Sequence, residues 1–154
     1  MILSVYKMKN NKILLIAVFS LFILLSCKVE PKDIDYGKDH CRFCDMTVVD
    51  KTHAAQYVTK KGRAYMFDAV ECLVNDIQKN NNEDNLSFIL VADYANPGKL
   101  VDAKTATYLI SNKIKSPMGA NLSAFSSIET AKKAQSMHGG KLYSWSELKA
   151  KLAK

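Results

Sequence analysis

The pattern of apolar and polar positions divides the chain into three stretches. An apolar run, interrupted only by Ser20, covers residues 13–25, preceded by Lys9 and Lys12 and closed by Ser26-Cys27. Residues 28–39 are polar and without apolar periodicity, which predicts a flexible tether (27–39) with order beginning near His40. Beyond it, short β-favouring runs at 54–59 and 63–67 flank Lys60-Lys61-Gly62, the signature of a hairpin with glycine in its turn. Val70, Leu73, Val74 and Ile77 then repeat at helical spacing, with Asp68 and Glu71 at capping-box positions before them. The polar run at 80–85 ends that helix, and 86–91 reads as a buried strand. After the loop at 94–98, apolar stretches at 100–110 and 114–125 lead to a second capping-box pair, Ser126 and Glu129, and a helix through Ile128, Ala131 and Ala134 that stops at Gly139-Gly140. Residues 141–145 make a last strand, and Ser144 and Glu147 open a C-terminal helix. The order of elements predicts an α+β domain over 40–154, made of two small pseudo-repeated ββαβ-type units at about 40–93 and 99–154 packed as one domain.

The first stretch has the layout of an export signal: a basic region, an apolar region, a small residue and a cysteine. The run is short for a membrane span. Leu24-Leu25-Ser26-Cys27 resembles a bacterial lipobox, so residues 1–26 read as a lipoprotein signal peptide and Cys27 as the lipidated residue; the start of the signal is Met1 or Met8. The other reading is an uncleaved anchor helix. Either one places the remaining chain in the cell envelope, on the extracytoplasmic side of a membrane. The signal also changes the charge balance. It contains three lysines and no acids, leaving 19 basic against 15 acidic residues in the rest, and no Lys/Arg run that would engage nucleic acid.

With Cys27 set aside, Cys41, Cys44 and Cys72 remain, and three thiols cannot all pair internally. Cys41-Arg42-Phe43-Cys44-Asp45-Met46 places two thiols and a thioether within six residues. Soft sulfur donors of this kind favour copper(I). Zinc would normally require four Cys or His ligands, and neither a second Cys-x-x-Cys nor a His pair is present. Each feature has a plainer explanation. The Cys pair can form a local redox disulfide, Met46 can fill core, and Cys72 sits among apolar helix positions as a small buried residue would. His40 and His53 flank the motif as possible ligands, and His138 suits a helix C-terminus. No Ser/His/Asp set, nucleotide loop or carboxylate pair points to catalysis, so the chain does not read as an enzyme. Met118, between Pro117 and Gly119, is large and apolar for a turn, which suggests that it docks on something and could face Cys44 and Met46 across a cleft.

Taken together, the lipobox cysteine, Cys41-x-x-Cys44-x-Met46, Phe67-Asp68 followed by Cys72-Leu73, Val101-Asp102-Ala103 with Ala106 and Tyr108, Pro117-Met118-Gly119 before Ala124-Phe125, and Gly139-Gly140 give most of the mature chain a resemblance. In that order and spacing, the chain is similar to the NosL family, the lipoprotein accessory factors of nitrous oxide reductase. The resemblance implies a copper(I) chaperone anchored outside the membrane, working with an ABC-type maturation complex, with Cys41, Cys44, Met46 and Met118 as metal ligands and Cys72 and His53 as possible accessory ones. The chain departs from the family pattern at Asp45, where glycine is usual, at Ala120, where some members carry histidine, and at His138, where an aromatic is common. The rival function is an exported thiol-disulfide oxidoreductase using Cys41 and Cys44, and a plainer third is a zinc-stabilised structural lipoprotein.

Overall fold

The computed structural model describes residues 28–153, so the signal region and Cys27 lie outside the described residues. Strand β1 (Ala55–Thr59) turns at Gly62 into β2 (Ala64–Phe67), followed by helix α1 (Val70–Asn80), β3 (Leu86–Ala92) and β4 (Leu100–Asp102). Then come β5 (Thr107–Ile110), β6 (Leu122–Phe125), α2 (Ile128–His138), β7 (Lys141–Tyr143) and α3 (Trp145–Leu152). All strand pairs are antiparallel, in a four-stranded sheet of order β2-β1-β3-β4 and a three-stranded sheet of order β6-β5-β7.

Local chemistry accounts for these elements. The β-branched and aromatic residues of Ala-Gln-Tyr-Val-Thr suit a central strand, and β1 is buried along all but its last residue. Gly62 takes φ +81° in the turn after it, and its N–H donates to the Thr59 carbonyl at 2.8 Å. Asn81 closes α1 in the left-handed region, where asparagine is tolerated. Ser144 and Glu147 form a complete capping box on α3, as the spacing predicts. Gly140 is required for a different reason. A Cβ there would lie 2.3 Å from the Ile110 carbonyl oxygen, so only glycine lets the chain cross β5 at that point.

The two sheets share one core. Tyr57, Phe67, Leu73, Val91, Tyr108, Leu122 and Trp145 belong to a single buried cluster drawn from both. Helix α1 lies between the sheets, touching β1 and β2 on one side and β6 and α3 on the other. A parallel bridge between Asp93 and Ala124 joins the sheets directly.

Four expectations are revised. Contacts with the domain begin before His40: Lys32 exchanges hydrogen bonds with the buried Gln56 side chain at 3.0 and 2.6 Å, and Gly37 N–H donates to Val48. A polar segment can be held by backbone hydrogen bonds that hydropathy does not register. The stretch 100–110 is neither one strand nor one helix. Lys104 N–H donates to Asp102 Oδ1 at 2.7 Å in an Asx turn that breaks it, leaving β4 on the first sheet and β5 in the second. The N-cap of α2 is Ser127, one residue later than Ser126, and its hydroxyl accepts from Thr130 N–H. Finally, Asp68 does not cap α1. Ala69 occupies the cap position without a side-chain hydrogen bond, and the Asp68 carboxylate turns inward.

Candidate metal centre

Residues 40–47 form a miniature hairpin. His40 and Thr47 bridge, Cys41 N–H donates to the Met46 carbonyl at 2.8 Å, and Asp45 N–H donates to the Cys41 carbonyl at 2.9 Å. To close it, Asp45 adopts φ +64°, the left-handed conformation that glycine reaches without strain. The backbone is therefore not extended between Cys44 and Met46, and strand alternation does not set where Met46 lies relative to Cys44.

Arg42, between the two cysteines, anchors this hairpin to the rest of the domain. Its N–H donates to the Met66 carbonyl at 2.9 Å, its guanidinium sits 4.0 Å above the Tyr65 ring, and its Nε reaches Asp76 Oδ2 at 3.4 Å. Asp76 also accepts from the Tyr57 hydroxyl at 2.8 Å, so one carboxylate of α1 ties the hairpin to the central strand. Such a shared, charge-assisted network fixes a loop more firmly than isolated surface pairs do.

The hairpin presents its sulfurs to the start of α1. The thiol sulfurs of Cys41, Cys44 and Cys72 and a carboxylate oxygen of Asp68 all lie within 4.8 Å of one another. Cys41 and Cys72 are buried, Cys44 is half-buried, and all three are free thiols. Cys44 Sγ donates to Asp68 Oδ1 at 3.4 Å, whereas Asp68 Oδ2 is buried without a partner.

The thiols divide the protonation states among themselves. A hydrogen bond from Cys72 brings Cys41 down to about 6 against the opposing effect of burial. Burial pushes Cys44 up to about 11. Cys72 is raised too, first by its hydrogen bond to Cys41 and then by burial. The network therefore favours ionisation of Cys41 over its two neighbours, and a thiolate is the form that ligates metal or attacks a disulfide.

Beside the thiols lies an open cleft of about 950 Å³, lined among others by Phe43, Glu71, Cys72, Asn75, Met118 and Ala120. Glu71 lines it next to Cys72. Rather than completing a cap, its Oε1 accepts from Ser116 Oγ at 2.5 Å and from Ala120 N–H at 3.2 Å, and Ser116 Oγ in turn accepts from Asn121 N–H. This pins the turn that carries Met118 against α1. Met118 is 41% exposed and Met46 49%, so both side chains are open to solvent.

Cys41 and Cys44 thus come together as their spacing suggests, joined by Cys72, and Met118 lines the cleft that Cys72 also lines. His53 does not join them. It is 3% exposed, and its ring nitrogens are taken by Asp50 Oδ2 at 2.7 Å and Ser123 Oγ at 3.2 Å, leaving no lone pair free for an ion. His40 Nδ1 is 3.1 Å from the Asp45 carbonyl. Sequence reasoning missed Asp68 and Glu71 as site residues because the capping-box pattern explained both. It missed Arg42 and Asp76 because nothing local marks a pair 34 positions apart. No described helix is long and apolar enough to cross a membrane.

Comparison with known proteins identifies the family and the fold. The NosL family model matches residues 32–153. The chain is 28% identical over 120 residues to the copper-binding lipoprotein NosL of Stutzerimonas stutzeri, an alignment covering 73% of this chain and 63% of that protein. The chain therefore matches less than two thirds of that relative's length. Its fold is similar to the crystal structure of the copper chaperone NosL from Shewanella denitrificans, with a TM-score of 0.68 and 19% identity, covering 78% of this chain and 96% of that one.

Proposed function

The chain belongs to the NosL family, and from that premise we propose that it is a copper(I) carrier rather than an enzyme. The ion is held by Cys41 and Cys44, with Cys72 as a third thiolate and with Met46 and Met118 supplying, one at a time, a thioether ligand on the open side. The observation that carries this reading is the convergence of three free thiols beside a cleft shared with Met118. Copper(I) prefers thiolate and thioether sulfur and accepts few ligands. An ion bound by buried thiolates and capped by a thioether from an exposed methionine is held tightly yet stays open to an incoming partner sulfur or nitrogen. Transfer then proceeds by ligand exchange, the partner's donor adding as a thioether leaves.

The carrier works at the extracytoplasmic face of a bacterial membrane, anchored by lipid on Cys27. It supplies copper for maturation of nitrous oxide reductase together with its ABC-type complex. Two relatives known as a copper-binding lipoprotein and a copper chaperone support the carrier role and the anchor.

The test is an anaerobic copper(I) titration of the reduced full chain against a chromophoric chelator. Stoichiometric tight binding is expected, weakened by both Cys44→Ser and Met118→Ala with the fold intact. Full affinity in both variants would sink the assignment.

One observation favours a second reading, a thiol-disulfide oxidoreductase: Cys41, Cys44 and Cys72 are free thiols within 4.8 Å of one another, as attack on a disulfide and its resolution require. In that case Cys41 attacks a partner disulfide, and Cys44 or Cys72 resolves the mixed disulfide. Such a protein would be indifferent to Met118→Ala and would cycle readily with a dithiol couple.

A further inference from the structure

The segment that follows Cys27 is folded onto the domain. Val29 Cγ2 lies 3.9 Å from the point where a Cβ on Gly62 would stand, so the chain is already beside the β1–β2 turn just after the attachment residue. From there it runs along the outer face of the larger sheet. Lys32 is bonded to Gln56 in β1, Ile34 and Tyr36 line one depression with Phe88 and Leu90, and Gly37 N–H reaches Val48. Gln56 and Val58 are fully buried as a result. A flexible linker of this length would let the domain wander by about 20 Å and face in any direction. A strap held at both ends does not.

The end at which the strap begins is basic. Lys60, Lys61 and Arg63 surround Gly62, Lys28 precedes Val29, and all four are exposed. Helix α1 runs back from the thiols to the same end, since the turn after it leads into β3, whose Leu86 pairs with Thr59, and its last turn adds the exposed Lys79. Of the acids there, Glu30 pairs with Lys28, Glu83 pairs with Lys149, and Asp84 is exposed. Among the described residues, Lys60, Lys61, Arg63 and Lys79 take part in no ion pair. The thiols lie at the opposite end of β2, because the chain from Gly62 to Asp68 spans about 20 Å at strand rise.

We infer that the domain stands on the membrane on its β1–β2 turn, with Lys28, Lys60, Lys61 and Arg63 against anionic phospholipid headgroups and the thiol cluster facing away from the bilayer. The inference rests on the membrane attachment proposed above. It holds for lipid on Cys27 and equally for an uncleaved anchor, whose apolar run also ends just before Lys28. Attachment there brings the turn within the roughly 8 Å over which surface charge acts at physiological salt. Each basic side chain near an anionic surface then strengthens the contact about fivefold. The strap transmits this footing to the whole domain, so the thiols and the Met118 cleft are held clear of lipid and open to an incoming partner.

The experiment places the full chain, purified with its own attachment, in nanodiscs of phosphatidylcholine or of phosphatidylcholine mixed with phosphatidylglycerol. Single-hit acetylation of each lysine is read by mass spectrometry, which also reads whether Cys27 carries lipid. Lys60 and Lys61 should react at least about threefold more slowly on the anionic discs, while Lys115, beside the Met118 turn, should keep its rate. High salt should remove the difference. Lys60→Gln with Arg63→Gln changes only exposed side chains and should return Lys61 to within about twofold of its rate on phosphatidylcholine. Equal rates at Lys60 and Lys61 on both discs, with lipid on Cys27, overturn the inference and leave the anchor standing. Equal slowing at Lys115, or slowing of Lys61 that persists in the double variant, also overturns it. Slowing confined to the turn with an unmodified Cys27 upholds the inference and removes the lipid reading.

Discussion

Helices α1 and α2 have the same length and the same place in their sheets, each linking the second strand of a ββαβ run to the third, yet they are built differently. Helix α2 follows the ordinary rules. Ser127 caps it, Ala131 and Ala134 are its buried residues, and it covers one face of the smaller sheet. Helix α1 has no side-chain cap and buries seven residues, among them Glu71, Cys72 and Asp76. The groups that would normally serve its N-terminus are directed elsewhere, Asp68 to the thiols and Glu71 to the Met118 turn. A helix that gives up its cap and buries acids forgoes stability that α2 keeps, and what α1 gains in return is a rigid mount for sulfur and oxygen donors.

The sharpest way to break this contrast is to remove the donors. Cys41→Ser with Cys44→Ser should lower copper(I) affinity by more than about a hundredfold, beyond the effect of a single outer-shell loss, in chelator competition. The matching change in α2, Ser127→Ala, should leave copper binding untouched.

Next in size is Glu71→Ala. It strands Ser116 Oγ and Ala120 N–H and should cost about 1–3 kcal/mol in denaturant unfolding. Because it acts on metal binding through Met118, its effect on copper(I) affinity should vanish in a Met118→Ala background. A double-mutant cycle reads this directly.

The junction between the halves adds a pH dependence. Burial alone would raise the Asp93 carboxyl, but hydrogen bonds from Asn96 and Ser126 outweigh it and hold the group below its ordinary value. Its stabilising contribution is therefore present above the unfolded carboxyl value of about 3.9 and lost as pH falls through the lower folded value. Unfolding followed from pH 6 to pH 2 should steepen below about pH 4, and Asp93→Asn should flatten that slope.

The smallest effects concern single turns. Ser127→Ala should cost α2 about 1 kcal/mol in denaturant unfolding. Asp45→Gly should gain up to about 1 kcal/mol by relieving a left-handed L-residue, with the cysteine hairpin unchanged.

The same contrast explains what could be read from the sequence. The β1–β2 hairpin, α1, β3 and the capping box of α3 were legible because glycine, helical spacing and Ser/Glu pairs act locally. The break at Asp102 was not, because an Asx turn without glycine or proline leaves the hydropathy pattern unchanged. Nor were the contacts of Lys32, which run through backbone and the Gln56 amide. Cys41 and Cys44 were legible as a pair from their spacing. The membership of Cys72 was not, since a buried thiol among apolar helix positions has the same sequence signature whether it packs or ligates. Asp68 and Glu71 were misread for the same reason: the pattern that marks a helix start is identical when the carboxylates point into a site.

X-ray absorption at the copper edge of the reduced, copper(I)-loaded full chain, with and without Cys72→Ser, tests the central claim most directly. Sulfur should fill the first shell, and the sulfur count should fall by one in the variant. A first shell dominated by nitrogen or oxygen, or one unchanged by the substitution, would contradict the assignment of the thiols at the head of α1 as the copper site.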